Sequence, residues 1–195
     1  MLRRALYPVA AMLLLVSSLA LAENPSGTYA FDTKGQHQFI IFRISHLGFS
    51  QLYGEFTDFD GQFTYDADSP EQSSVEVTIQ TASVESNHAE RDKHLRSDDF
   101  LYVDEYPTAT FKSTSIDMTG DGKARVTGDF TLRGVTREVV LDMEQVGHGA
   151  DPWGGYRMGF KGMTTLKLAD FGITKDLGPT AKTVDIILSM EGVRQ

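Results

Sequence analysis

Over most of the chain, hydrophobic and polar residues alternate with a period of two. Val75, Val77 and Ile79 alternate with Glu76 and Thr78, and Ala124, Val126, Gly128, Phe130 and Leu132 alternate with Arg125, Thr127, Asp129, Thr131 and Arg133. The same spacing returns at Val139, Leu141 and Met143, at Tyr156, Met158 and Phe160, and at Val184, Ile186, Leu188 and Met190. Successive side chains of a strand point to opposite faces, so each run predicts a strand with one apolar and one wet face. Asp60-Gly61, Gly120-Asp121-Gly122 and Arg133-Gly134 read as reversals between such runs, because these residues tolerate positive φ and let antiparallel strands turn tightly.

Two early stretches break the alternation. From His37 to Ile44 the apolar residues Phe39, Ile40, Ile41, Phe42 and Ile44 fall on both faces, as in a strand covered on both sides. After a turn near His46-Leu47-Gly48, the stretch from Leu52 carries Tyr53, Phe56, Phe59, Phe63 and Tyr65. Each ring is a large apolar body that suits core packing, and together the rings also suit the lining of a cavity. One helix is predicted, from Asn87 to Asp99, with Asn87 as N-cap, Glu90 as its capping-box partner and Leu95 as the main apolar residue. About eight to ten strands with one short helix and no repeating βαβ pattern give an all-β domain. A closed barrel removes exposed edges and can hold a small ligand, but periodicity does not separate it from a sandwich.

Composition narrows the function. Arg3 and Arg4, the apolar run Ala10 to Leu19 and the small-x-small triplet Ala20-Leu21-Ala22 predict a cleaved Sec-type export signal over residues 1–22, rather than a retained anchor, which would want an apolar run of ~20 residues, and leave 23–195 as one exported domain. No later stretch is long enough to cross a bilayer as a helix. The chain has 18 Lys plus Arg against 27 Asp plus Glu, and an acidic surface argues against nucleic acid as a partner. The absence of Cys excludes a disulfide framework, a thiolate metal site and a cysteine nucleophile. His88, Glu90, Asp92 and His94 have spacings that could hold a metal, but the same spacings give ordinary helix pairs, and structural or ligand-gating roles are preferred. Gly120-Asp121-Gly122-Lys123 lacks the P-loop spacing, Asp117 to Gly128 lacks the closing Glu of a calcium loop, and Asp170-Phe171-Gly172 has no kinase motif beside it. There is no Gly-x-Ser-x-Gly elbow, and His37, His46, His88, His94 and His148 declare no triad, so no catalytic set is visible and no enzyme is expected.

The string Gly35-Gln36-His37, then Ile41-Phe42-Arg43-Ile44 before His46-Leu47-Gly48, then Leu52-Tyr53-Gly54 and Phe56 to Gly61, resembles the YceI family. So do Asn87 to Phe100, Tyr106-Pro107 with Ala109-Thr110-Phe111, Gly128 to Thr136, and Asp151-Pro152-Trp153-Gly154-Gly155. The resemblance runs in order through the mature chain. It departs at Leu168, where many relatives carry Arg two residues before Asp170-Phe171-Gly172. It implies a lipocalin-like, extended antiparallel β-barrel around a polyisoprenoid chain, such as the tail of a polyprenyl phosphate or a quinone, in a protein that is exported, non-catalytic and expressed under stress. On that reading Phe39, Ile41, Phe42, Tyr53, Phe56 and Phe59 belong to the tunnel wall. Phe63, Val77, Leu95, Phe100 and Trp153 complete it, with Trp153 as lid or core plug, and Arg91 and His94 address the head group at the mouth. Arg91 reads equally as a surface ion pair. No metal and no cofactor beyond the isoprenoid lipid is expected, and a homodimer is an option. The competing classes are a metalloprotein or enzyme built on the helix and a ligand-free structural stress protein.

Overall fold

Antiparallel pairing runs around the whole sheet without a crossover. The computed structural model describes residues 23–35 and 37–195; the export-signal assignment to 1–22 lies outside the described residues. The strands are β1 (Gly27–Phe31), β2 (Phe39–His46), β3 (Ser50–Phe56), β4 (Phe59–Tyr65), β5 (Ser74–Gln80) and β6 (Val84–Glu85). After helix α1 (Ala89–Arg96) come β7 (Thr108–Gly120), β8 (Lys123–Leu132), β9 (Val135–Ala150), β10 (Tyr156–Lys167) and β11 (Thr183–Arg194).

These eleven segments form eight staves of a closed barrel. β11 pairs along one edge with β10, and along the other with β2 at Asp185–Ser189 and with β1 at Gly192–Arg194, so β1 and β2 make one broken stave. β3 pairs with β2 and β4 with β1, which makes β3 and β4 the second stave. β5 pairs with β4 and β6 with β3, giving the third, and β7 to β11 follow as single long strands. The sequence pattern of one wet face per strand is therefore the outside of a barrel wall, and closure leaves no free edge around the ring.

The connections sort the two ends. One end carries α1, the β2–β3 hairpin, the β8–β9 reversal at Arg133-Gly134 and the segment 168–182. It is filled by Phe42, Phe59, Val84, Phe100, Leu132, Phe171 and Ile173, all buried, with Phe130 edge-on to Phe171 at 5.5 Å. The other end carries the β4–β5 connection, the β7–β8 hairpin and the turn at 151–155. On one side of it Tyr29 stacks on Phe63 at 4.8 Å, and Phe63 meets Phe160 edge-on at 5.4 Å.

Asp60-Gly61 is not a reversal: it lies inside β4, opposite Thr78 and Val77. Gly61, Gly54, Gly128 and Gly192 leave room for the rings of Phe31, Phe42, Phe111 and Phe63 respectively. A ring lying across an inward glycine thickens the wall without shifting the strands. A Cβ on Gly128 would stand 2.5 Å from Phe111 Cζ and 2.6 Å from the Lys112 carbonyl oxygen, whereas one on Gly147 would meet nothing within 4 Å. Gly128→Ala is therefore expected to destabilise the barrel by about 1–3 kcal/mol through overpacking. Gly147→Ala should be neutral or slightly stabilising. Urea midpoints of the two variants test the pair.

Candidate functional site

Inside the wall lies a cavity of about 1350 Å³, counting the part open to solvent. Its sides are built by the inward parity of successive staves: Val75, Val77 and Ile79 on β5, Ala124, Val126 and Phe130 on β8, Val139, Leu141 and Met143 on β9, Ile186, Leu188 and Met190 on β11. From Ala124 to Phe130 the lining extends ~20 Å along the strand at ~3.3 Å per residue. On β7 the inward parity changes within the strand. The register shifts between Ser113 and Ser115, so Phe111 faces in before the bulge and Ile116 and Met118 face in after it. The Ser113 hydroxyl accepts a 2.9 Å hydrogen bond from the Val75 N–H just beyond the last β5–β7 pair, Glu76 with Lys112. Met118 is 45% exposed, and with Pro70, Ser73, Ser74 and Gly122 it marks the mouth, at the β7–β8 hairpin end. The opposite end is blocked by the packed aromatic core. Among the described residues the lining holds no charged side chain; its polar members are Thr64, Tyr65 with its hydroxyl, Ser73, Ser74, Gln145 and Thr164.

The residues picked from sequence separate into three groups. Phe56, Phe63 and Val77 line the cavity. Phe42, Phe59 and Phe100 are buried in the aromatic core, with Leu95 packed against it, and none of the four lines the cavity. Phe39, Ile41 and Tyr53 fall on the outward parity of β2 and β3, where Ile40, Phe42 and Phe56 are the inward residues. Trp153, 77% exposed, stands in the turn before β10 with the Arg157 guanidinium 5.3 Å from its ring centre, so it plugs no core. Ile116, Met118, Leu141, Met143 and Met190 were readable as strand positions but not as cavity wall. Alternation gives the parity of a side chain, not how far the interior beside it is filled.

α1 is shorter than predicted and begins one residue later. His88 is the N-cap, its Nδ1 accepting from the Arg91 N–H at 3.2 Å, while Asn87 takes a left-handed φ of 63°, a conformation Asn tolerates. The helix sits at the blocked end, and its side chains are committed there. Arg91 donates from Nε to Ser86 Oγ at 2.7 Å and from Nη2 to the Ser86 carbonyl at 2.5 Å. Buried Asp92 accepts from the Ser86 hydroxyl, and Arg96 donates to the carbonyls of Ala82 and Val84 at 2.7 and 2.6 Å. His94 pairs with Asp99 at 2.8 Å, and Lys175 with the same carboxylate at 2.6 Å. His94 and then Lys175 hold Asp99 below the usual carboxylate range. Neither Arg91 nor His94 lines the cavity.

The YceI-like domain pattern matches residues 29–192, most of the described barrel. The chain belongs to the YceI-like family. A UPF0312 protein of Ectopseudomonas mendocina is 60% identical over 185 residues, covering 95% of this chain and 97% of that protein. Among solved structures, Burkholderia cenocepacia BcnA superimposes with a TM-score of 0.73 at 24% identity, over 83% of this chain and 98% of its own. A polyisoprenoid binding domain from Saccharophagus degradans gives a TM-score of 0.63 at 16% identity, over 86% of this chain and 98% of its own. These two structures share the barrel fold.

In this YceI-like barrel the strongest charge network lies on the wall, outside the cavity. Arg157 donates from Nη1 to Asp32 at 2.5 Å and to Glu191, and from Nε to Asp151 at 2.8 Å. Asp32, His37 and Glu191 form a group able to approach one metal ion, but the guanidinium already occupies the cationic place between the two carboxylates. Arg157 first, then the Gly35 N–H, holds Asp32 below the usual carboxylate range; the Gly155 N–H and then Arg157 do the same for Asp151. Carboxylates with depressed pKa add stability at neutral pH that is lost as pH falls below their unfolded value of ~3.9 towards the lower folded values. Arg157→Met should lower the melting temperature at pH 7, since the three carboxylates of a half-buried network lose their cation. The gap from the unchanged protein should narrow as pH is lowered below ~4, which thermal melts across pH will read. Arg91→Ala should cost about 1–3 kcal/mol by leaving the Ser86 carbonyl and hydroxyl oxygen without their donor, while the Ser86 hydroxyl keeps Asp92 as acceptor, seen as a lower urea midpoint.

Proposed function

We propose that the chain is a non-catalytic periplasmic carrier or storage protein for a long-chain isoprenoid lipid of the polyprenyl phosphate or quinone type. The observation that carries this reading is the lumen: a ~20 Å apolar wall without a charged side chain, blocked at one end and open at the other. Such a space favours one extended hydrocarbon chain, each buried methylene contributing ~0.8 kcal/mol. The shared fold with a polyisoprenoid binding domain favours an isoprenoid over an acyl chain. The export-signal pattern of residues 1–22 supports the periplasm. The tail enters first and the head group stays by Met118 and Gly122, at the end of the barrel away from Arg91 and His94.

Native mass spectrometry of the mature protein purified from its own periplasm, followed by organic extraction, tests the proposal. A bound species with an isoprenoid mass ladder supports it, and Val126→Trp, which places an indole in mid-lumen, should remove that species while leaving the melting transition cooperative. Recovery of a stoichiometric divalent metal and no lipid would overturn it. So would a Val126→Trp protein that carries the same lipid load.

A further inference from the structure

Among the described residues, two buried side-chain polar atoms have no hydrogen-bond partner: Gln38 Oε1 and Gln145 Nε2. Only Gln145 lines the cavity. It lies opposite Phe160 in the β9–β10 ladder, at the register shift that leaves Val146 unpaired and turned outward, 68% exposed. Its main chain is pinned by a 2.8 Å hydrogen bond from its N–H to the Gly122 carbonyl, in the β7–β8 hairpin at the mouth. The amide therefore stands on a fixed stretch of wall, in the row of Val139, Leu141 and Met143, where a fourth apolar side chain would continue the pattern. A buried donor left unpaired is costly, and native structures leave few of them without a partner.

We infer that Gln145 is the head-group subsite of the lumen, and that it selects a neutral oxygen acceptor, a ring or ester carbonyl, over a phosphate. This rests on the carrier reading and narrows it. An anion drawn down to Gln145 would meet no Lys, Arg or His in the lining, and a buried charge without a counter-charge is strongly disfavoured. A carbonyl oxygen needs only one donor, which Nε2, covered as it stands, supplies when the amide turns about its last side-chain torsion toward the lumen. The isoprenoid tail then fills the aliphatic rows below, and the carbonyl-bearing ring lies among Phe160, Met143 and Met118.

The test measures binding of three probes to the unchanged protein and to Gln145→Leu: an isoprenoid benzoquinone, the isoprenoid hydrocarbon of equal tail length, and the matching polyprenyl phosphate. The expected result is a five- to tenfold loss of quinone affinity in Gln145→Leu, about one neutral hydrogen bond, with hydrocarbon affinity unchanged. The phosphate should bind more weakly than the quinone and show no dependence on Gln145. Infrared spectra should show the bound quinone carbonyl stretch shifted to lower frequency in the unchanged protein and unshifted in the variant. In Gln145→Glu, quinone binding should be lost at pH 8 and recovered in acid, where the carboxyl group can donate. Equal losses for quinone and hydrocarbon, or full quinone affinity in both variants, overturn the assignment while leaving the carrier reading intact. An unchanged protein that binds none of the three overturns both.

Discussion

Closure of the barrel depends on one strand edge. β11 gives its outer edge to β2 over Asp185–Ser189 and to β1 over Gly192–Arg194, and this shared edge turns an open meander into a ring. Once the ring is closed, the paired main chain of the staves is hydrogen-bonded within the wall, and outside the breaks and the bulge the interior needs no polar side chains to satisfy it. The inward rows can then be aliphatic and aromatic along their whole length. Whether such an interior is solid or hollow depends on how the rows meet. At the helix end the rings of Phe59, Phe100 and Phe171 fill it, and above them smaller Val, Leu and Met side chains stop short of the axis.

The polar helix is compatible with this apolar tube because of what its arginines do. The third stave breaks after Gln80, and the break exposes carbonyl groups at Ala82, Val84 and Ser86. Arg91 and Arg96 cover them, and Arg133, from the β8–β9 reversal, donates to the carbonyls of Asp98 and Phe100. The conspicuous charges of this region are thus hydrogen-bond donors to irregular backbone, holding the segment that blocks the tube. A wall network of comparable density, around Arg157, fastens the start of β10 to the loop after β1 and to β11.

Much of the wall was legible in the sequence. The alternation of Ala124 to Leu132 and of Val184 to Met190 gave both the strand and its inward face. Three things were not legible, each for a physical reason. β2 is apolar on both parities, so nothing local says that Ile40 rather than Ile41 turns inward. The run from Leu52 to Tyr65 reads as reversing at Asp60-Gly61, because the actual break at Thr57-Asp58 is set by β6 docking on β3 and by the Asp58 carbonyl accepting from the Gln80 N–H. The bulge in β7 lies in a polar stretch whose register is fixed only by its neighbours. At the site, Gln145 looks like any polar strand residue. Alternation continues the row of Val139, Leu141 and Met143 to Gln145, but its pairing with Phe160, fifteen residues away in the chain, and the register shift beside it are not encoded there.

The packed aromatic end has a consequence for traffic. A chain held in a tube with a single opening must leave by retracing its path, so whatever entered last leaves first. The polar end of a cargo would thus be presented to any receiver before its tail is free. Each carbon withdrawn must be sheltered by the receiving surface or left in water, which makes release slower for longer tails and makes contact with an apolar acceptor the efficient route of hand-over.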